Sequence, residues 1–237
     1  MGVPPRQPHR HPPCGSGHTL YRGQVCLGLL LVSTVLAGAA PAGDDVDYAQ
    51  RRALFLQQTT SREPSGAYDG LARLYYVGDL REEAFSGALE RLEARQDCAD
   101  FQLHAILRLF YQCVPVDDRH APFLGRCRKT VLGFKYWPDE PGQDSMCTWS
   151  ENHFILFASG AYLAGARFPA EIFTNSGLTG DEMVQQFRPR VQRWLRLRFQ
   201  SGFSEWLSNV YYEEDLVALI NLADFAPDAS IRQQAAM

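Results

Sequence analysis

The stretch Trp149-Ser150-Glu151-Asn152-His153, followed by Phe154-Ile155-Leu156-Phe157-Ala158 and running on to about Phe168, decides the fold of this chain. Ser150 suits an N-cap, because its hydroxyl can accept from a backbone N–H that has no partner in the first helical turn. Beyond it the residues are apolar on nearly every side, the pattern of a helix buried in a core. Gly160, Ala164 and Gly165 are small enough to let another helix come close. Pro169 marks the exit, since proline cannot continue a helical ladder.

The rest of the chain extends this pattern. Residues 99–113 and 212–225 also read as helices that are apolar most of the way round. Between and around them lie amphipathic segments at 80–95, 119–133, 180–200 and from 228 onward. Thr179-Gly180-Asp181-Glu182 is a capping box, and Pro189 is expected to kink the helix that it opens. Residues 48–59 read as a first helix, whereas 71–77 fit a helix or an extended segment equally. No convincing strand appears. The fold class is therefore all-α: stacked helical hairpins with an inner and an outer layer. The arrangement expected is a partial (α/α) toroid, an incomplete ring, because Ala235-Ala236-Met237 falls in mid-helix and about four hairpins do not close one. Alternation also predicts that successive inner helices run parallel. Their N-terminal ends then share one rim, which turns the start at Glu151 and a second start at Ser208–Asp215 toward one cleft.

Residues 1–42 differ in kind. They hold Arg6, Arg10 and Arg22, no acid, and an apolar run from Val25 to Ala40 that ends in small residues. This is the order of a secretory signal peptide, and the run is short of the ~20 residues that span a bilayer comfortably. The expected plan is a cleaved signal over 1–42 and a toroid part over 43–237, with a secreted or periplasmic location and no stable membrane insertion afterwards. The net charge of −4 becomes more negative once the leader is gone, so nucleic acid is not an expected partner. Cys98, Cys113, Cys127 and Cys147 remain after the leader, an even number compatible with two disulfides. Buried thiols are the other reading. No CxxC pair is present, which argues against a zinc site; no metal and no cofactor are expected.

Several pieces from Lys135 onward resemble a family of secreted proteins with a six-hairpin glycosidase-like, (α/α)-toroid fold. They are Lys135-Tyr136-Trp137-Pro138-Asp139-Glu140-Pro141-Gly142, Trp149-Ser150-Glu151-Asn152-His153, Ala161-Tyr162-Leu163-Ala164-Gly165, Gly202-Phe203-Ser204-Glu205-Trp206 through Tyr211-Tyr212, and Leu222-Ala223-Asp224-Phe225-Ala226. The resemblance implies a toroid of glycosidase or polysaccharide-lyase ancestry and a longer chain than this one. Asn152-His153 is also similar to the Asn-His pair of alginate-lyase-type toroids, although Glu151 stands where those families usually carry another Asn.

The candidate catalytic residues are Glu151, Asn152, His153, Glu205, Tyr211 and Tyr212, with Trp149 and Trp206 as sugar-stacking rings. A lyase on a uronic-acid chain needs a neutraliser, a base and an acid, roles that fit Asn152, His153 and a tyrosine at 211 or 212. A hydrolase needs two carboxylates, for which Glu151 with Glu205 or Glu213 is the expected pair. The partner is in either case a polysaccharide or oligosaccharide. The alternative is a non-catalytic exported toroid that binds a glycan or a protein. Each residue also has an ordinary use: Glu151 as a helix-start acid favoured by the dipole, His153 as a core histidine, Trp206 as a wall plug, and the arginines of 188–198 as a solvated face.

Overall fold

Three apolar helices form the inner layer, and their sequences explain why. In the computed structural model, which describes residues 47–112 and 118–237, nine α-helices are present among the described residues. They are α1 Tyr48–Thr60, α2 Ala67–Val77, α3 Ser86–Glu93, α4 Ala99–Gln112, α5 Ala121–Gly133, α6 Glu151–Arg167, α7 Gly180–Ser201, α8 Tyr211–Phe225 and α9 Ala229–Ala235. Helices α4, α6 and α8 pack on one another, and α7 lies along α6 on the outside. No strand occurs among the described residues beyond a single antiparallel bridge between Ile172 and Thr179. The all-α expectation holds.

Close approach in the inner layer rests on glycine. A Cβ at Gly160 would come within 2.8 Å of Leu103 Cδ2 on α4. One at Gly165 would come within 2.5 Å of the Gly180 carbonyl oxygen, at the start of α7. The capping box at Thr179 forms as expected, with Glu182 N–H on the Thr179 hydroxyl and the Glu182 carboxylate on the Thr179 N–H. α7 runs as one helix through Pro189, so the proline does not interrupt it.

Several boundaries differ from the reading of the sequence. The segment at 71–77 is helical as part of α2, closed by Gly78 at φ +77°, a left-handed cap that glycine adopts readily. The segment at 80–95 splits into a 3₁₀ turn, Glu82–Phe85, and the shorter α3. α9 ends at Ala235, with Asp228 as its N-cap. Cys98 and Cys127 are free thiols, so two disulfides among the four cysteines do not form. The signal-like segment 1–42, most of the linker after it, and Cys113 with Pro115 lie outside the described residues.

The inner helices run parallel, as cross-helix contacts at both ends demonstrate. At the N-terminal end, His153 of α6 meets Asp100 of α4, and Asn152 meets Glu214 of α8. At the other end, the Tyr111 hydroxyl donates to the Leu163 carbonyl at 2.8 Å, and Tyr111 stacks on Phe225 at 4.6 Å. Parallel packing gathers the positive ends of three helix dipoles on one rim.

The loop 134–147 braces that rim. Lys135 is buried, and its ammonium donates to Asp144 at 2.6 Å and to the Gly142 carbonyl at 3.0 Å. Glu140 accepts from the Tyr136 N–H and from Asn175. Asp97 accepts from the Cys147 N–H at 3.0 Å, tying the loop to the turn before α4. These charged residues of the Lys135–Gly142 stretch therefore hold backbone in place.

Candidate functional site

The first turns of α4, α6 and α8 bring a histidine and several acids together. His153 is buried, and its Nδ1 lies 2.6 Å from Asp100 Oδ2. Asp100 is fully enclosed, and its second oxygen, Oδ1, has no hydrogen-bond partner. Burial lifts the Asp100 carboxyl above its ordinary range, against the pull of His153. Burial opposes a charge on His153 as well, but the bond and charge of Asp100, with Asp97 and Glu214 nearby, outweigh it and raise its proton affinity. A buried acid that holds an imidazole in this way fixes the ring's orientation and tautomer.

Asn152 links the second pair of helices. Its amide donates to Glu214 Oε2 at 2.9 Å, while its carbonyl oxygen accepts the His153 backbone N–H at 2.6 Å. Asn152 is thus a spacer that holds a carboxyl group from α8 beside His153. Burial pushes Glu214 up to about 8, with Asp100, Asp215 and Glu205 adding to the rise and His153 working against it. Asp215, 3% exposed, is pushed up to about 7 by burial and by the charge of Glu205. Glu205 is raised by burial, and His153 draws it back. Glu205 Oε2 and Asp215 Oδ1 are both enclosed without a partner. Groups that share so little water cannot all ionise together at neutral pH.

The other expected site residues are placed differently. Glu151 turns away from His153: its carboxylate pairs with Arg198 and accepts from the Ser204 N–H at 3.0 and 3.1 Å. These contacts anchor the loop after α7 through Glu151 and set its carboxylate apart from the His153 cluster. The Tyr212 hydroxyl accepts from the Leu207 N–H at 2.9 Å, and its ring packs on Phe203 at 5.0 Å, so it pins the same loop. Tyr211 stands at the solvent edge of α8. Trp149 and Trp206 are 73% and 71% exposed.

Trp149 borders a groove of about 750 Å³ whose other walls include Trp137, Phe154, Trp194, Arg190 and Arg193. Arg190 lies over the Trp137 ring at 4.7 Å, a cation–π contact that holds the indole upright. The Glu151 to Ser204 anchor forms one end of the groove. Glu205 follows Ser204 directly, so the loop joins the groove to the acid cluster.

Asp97, Asp100, Glu214 and Asp215 were not among the candidates named from the sequence. A signal for two of them existed. Asp100 and Asp215 each stand near the start of a largely apolar helix and are buried there, and a charge that a helix carries into a core has to find a partner. Which partner it finds depends on helices far apart in the chain. No known protein family matches the chain, and neither a curated protein nor a solved structure is similar to it.

Proposed function

We propose that the chain is a carbohydrate-active enzyme of the (α/α)-toroid type that hydrolyses an extracellular glycan. The observation that carries this reading is the convergence of Glu205 and Glu214 on His153, with Asp215 near both acids and with Glu205 and Asp215 oxygens left unpaired. A glycosidase needs one carboxyl group that keeps its proton near neutral pH and one that loses it. Glu214 fits the acid: burial holds its proton, and Asn152 fixes its orientation. Glu205, on the loop and less enclosed than Asp215, fits the base or nucleophile. Asp215 adds to the proton affinity of Glu214. The groove with Trp137 and Trp149 offers faces on which sugar rings can stack.

The lyase reading fits less well, because the Tyr212 hydroxyl is engaged with the loop backbone. The test is incubation of the full-length protein with a panel of neutral and acidic polysaccharides. New reducing ends without unsaturated uronate absorbance are expected, lost in Glu214→Gln and Glu205→Gln. Unsaturated product supports the lyase instead. Retention of a glycan without cleavage supports the binding-protein alternative.

A further inference from the structure

Beside the acid cluster, the turn before α4 presents Asp97 and Cys98, and a donor atom from each lies within 4.8 Å of the other and of a His153 ring nitrogen. Carboxylate, thiolate and imidazole together form a donor set that suits zinc-class ions, with the soft sulfur weighing against magnesium or calcium. Three protein donors leave a fourth position open, as in zinc sites that keep an exchangeable ligand.

Two independent features favour an ion here. Asp100 holds His153 Nδ1 at 2.6 Å, which leaves Nε2 as the coordinating nitrogen. Histidine ligands to metals usually lend their second ring nitrogen to a carboxylate in this way, which fixes the tautomer and strengthens the donor. Asp100 is also fully enclosed, and its Oδ1 has no hydrogen-bond partner, an unsatisfied buried oxygen beside the trio. Arg91, whose charge bears on Cys98, donates to the Asp97 carbonyl at 2.8 Å. Cys98 is half-buried, so the trio remains open to an entering ion.

We infer that Asp97, Cys98 and His153 form a binding site for a single zinc-class divalent ion. The cysteine spacing gives no sign of it, because two donors come from one turn and the third from a helix more than fifty residues on. The site adjoins the proposed acid and base but takes no ligand from them, and its occupancy is read with no glycan present. Failure of either idea is therefore distinguishable from failure of the other.

The experiment uses the full-length chain, stripped with a chelator and titrated with Zn²⁺ against a chromophoric competitor, then with Co²⁺. One equivalent is expected to bind, and the Co²⁺ form is expected to show thiolate-to-metal charge-transfer absorption. Cys98→Ser should abolish that absorption, and Cys98→Ser and Asp97→Asn should each weaken Zn²⁺ binding by about tenfold or more, since even partners outside the ligand shell are worth 10–100-fold. Cys127→Ser, which alters a buried thiol on α5, should keep both the affinity and the absorption. Circular dichroism checks that each variant is folded. The wild-type Co²⁺ spectrum tests the site even if a variant does not fold. Absence of stoichiometric binding, a Co²⁺ spectrum without the thiolate band, or equal affinity in a folded Cys98→Ser variant overturns the inference.

Discussion

Two histidines in the inner layer lie close together yet sit in opposite surroundings. His104 is four residues after Asp100 on α4, fully buried in a satisfied network. Asn221 of α8 donates to its Nδ1 at 2.9 Å, so its Nε2 donates to the Leu156 carbonyl of α6 at 3.0 Å. Arg108 completes the network, donating to Asn221 at 2.8 Å and pairing with Asp224 at 2.6 Å. Burial keeps His104 neutral and pushes it down to about 4. His153, at the rim, faces acids instead, and burial of those acids leaves oxygens unpaired. The same three helices thus carry a polar layer that locks them together and a polar layer whose groups are costly to keep. Unpaired buried charge is expensive, and folds tend to retain it where chemistry requires it.

The largest effect expected from this contrast is on activity. Glu214→Gln should lower glycan cleavage by about 10²–10⁴-fold, the usual contribution of a positioned acid or base, with the fold intact. A variant that still cleaves at a tenth of the wild-type rate would remove Glu214 from the mechanism.

The locked layer should respond in stability. Asn221→Leu leaves His104 and Arg108 without their shared partner and should cost about 3 kcal/mol in urea unfolding, as expected for stranded buried polar groups. A loss below about 1 kcal/mol would mean that the network is weaker than its geometry.

The two layers should also show opposite pH dependence. The folded pKa of Glu214 is raised, so the folded state holds a proton that the unfolded chain releases. Stability from this group is therefore present at low pH and is lost as pH rises from 4.5 to about 8. Glu214→Gln should be more stable than wild type above pH 8, where the wild-type carboxyl loses its proton. His104 has a depressed folded pKa, so its contribution is full above 6.5 and falls as pH drops toward about 4. Thermal melts of wild type and Glu214→Gln across pH 4 to 9 check this, and identical profiles would refute the assignment of the raised group.

A smaller effect is expected at the anchor. Glu151→Gln should cost about 1–2 kcal/mol, because a charged hydrogen-bonded pair with Arg198 is weakened, while cleavage stays within a few-fold. A collapse of activity with little loss of stability would return Glu151 to the catalytic set. The smallest effect concerns Trp149→Ala, expected to leave stability within about 0.5 kcal/mol because the ring is exposed. Isothermal titration should nonetheless show weaker glycan binding if the groove is the stacking surface, and unchanged affinity would exclude it.

Local patterns made most of the fold legible. The all-round apolar runs marked the inner helices, and Ser150 and Thr179 marked two helix starts, because capping and burial are properties of short stretches. Even the shared rim followed from alternation of inner and outer helices. The site was legible only in part. Asn152 and His153 stand where the helix start placed them, but Glu151, one residue earlier, points some 100° round the helix axis and meets Arg198 instead. That choice is made by the arrival of α7 and its loop. Likewise, nothing local to Asp100 or Glu214 names His153 or Asn152 as its partner. Short-range pattern specifies where helices form and which faces are buried. Only the tertiary structure decided which charges share one enclosed space, because electrostatic environment depends on burial and on neighbours brought from more than fifty residues away.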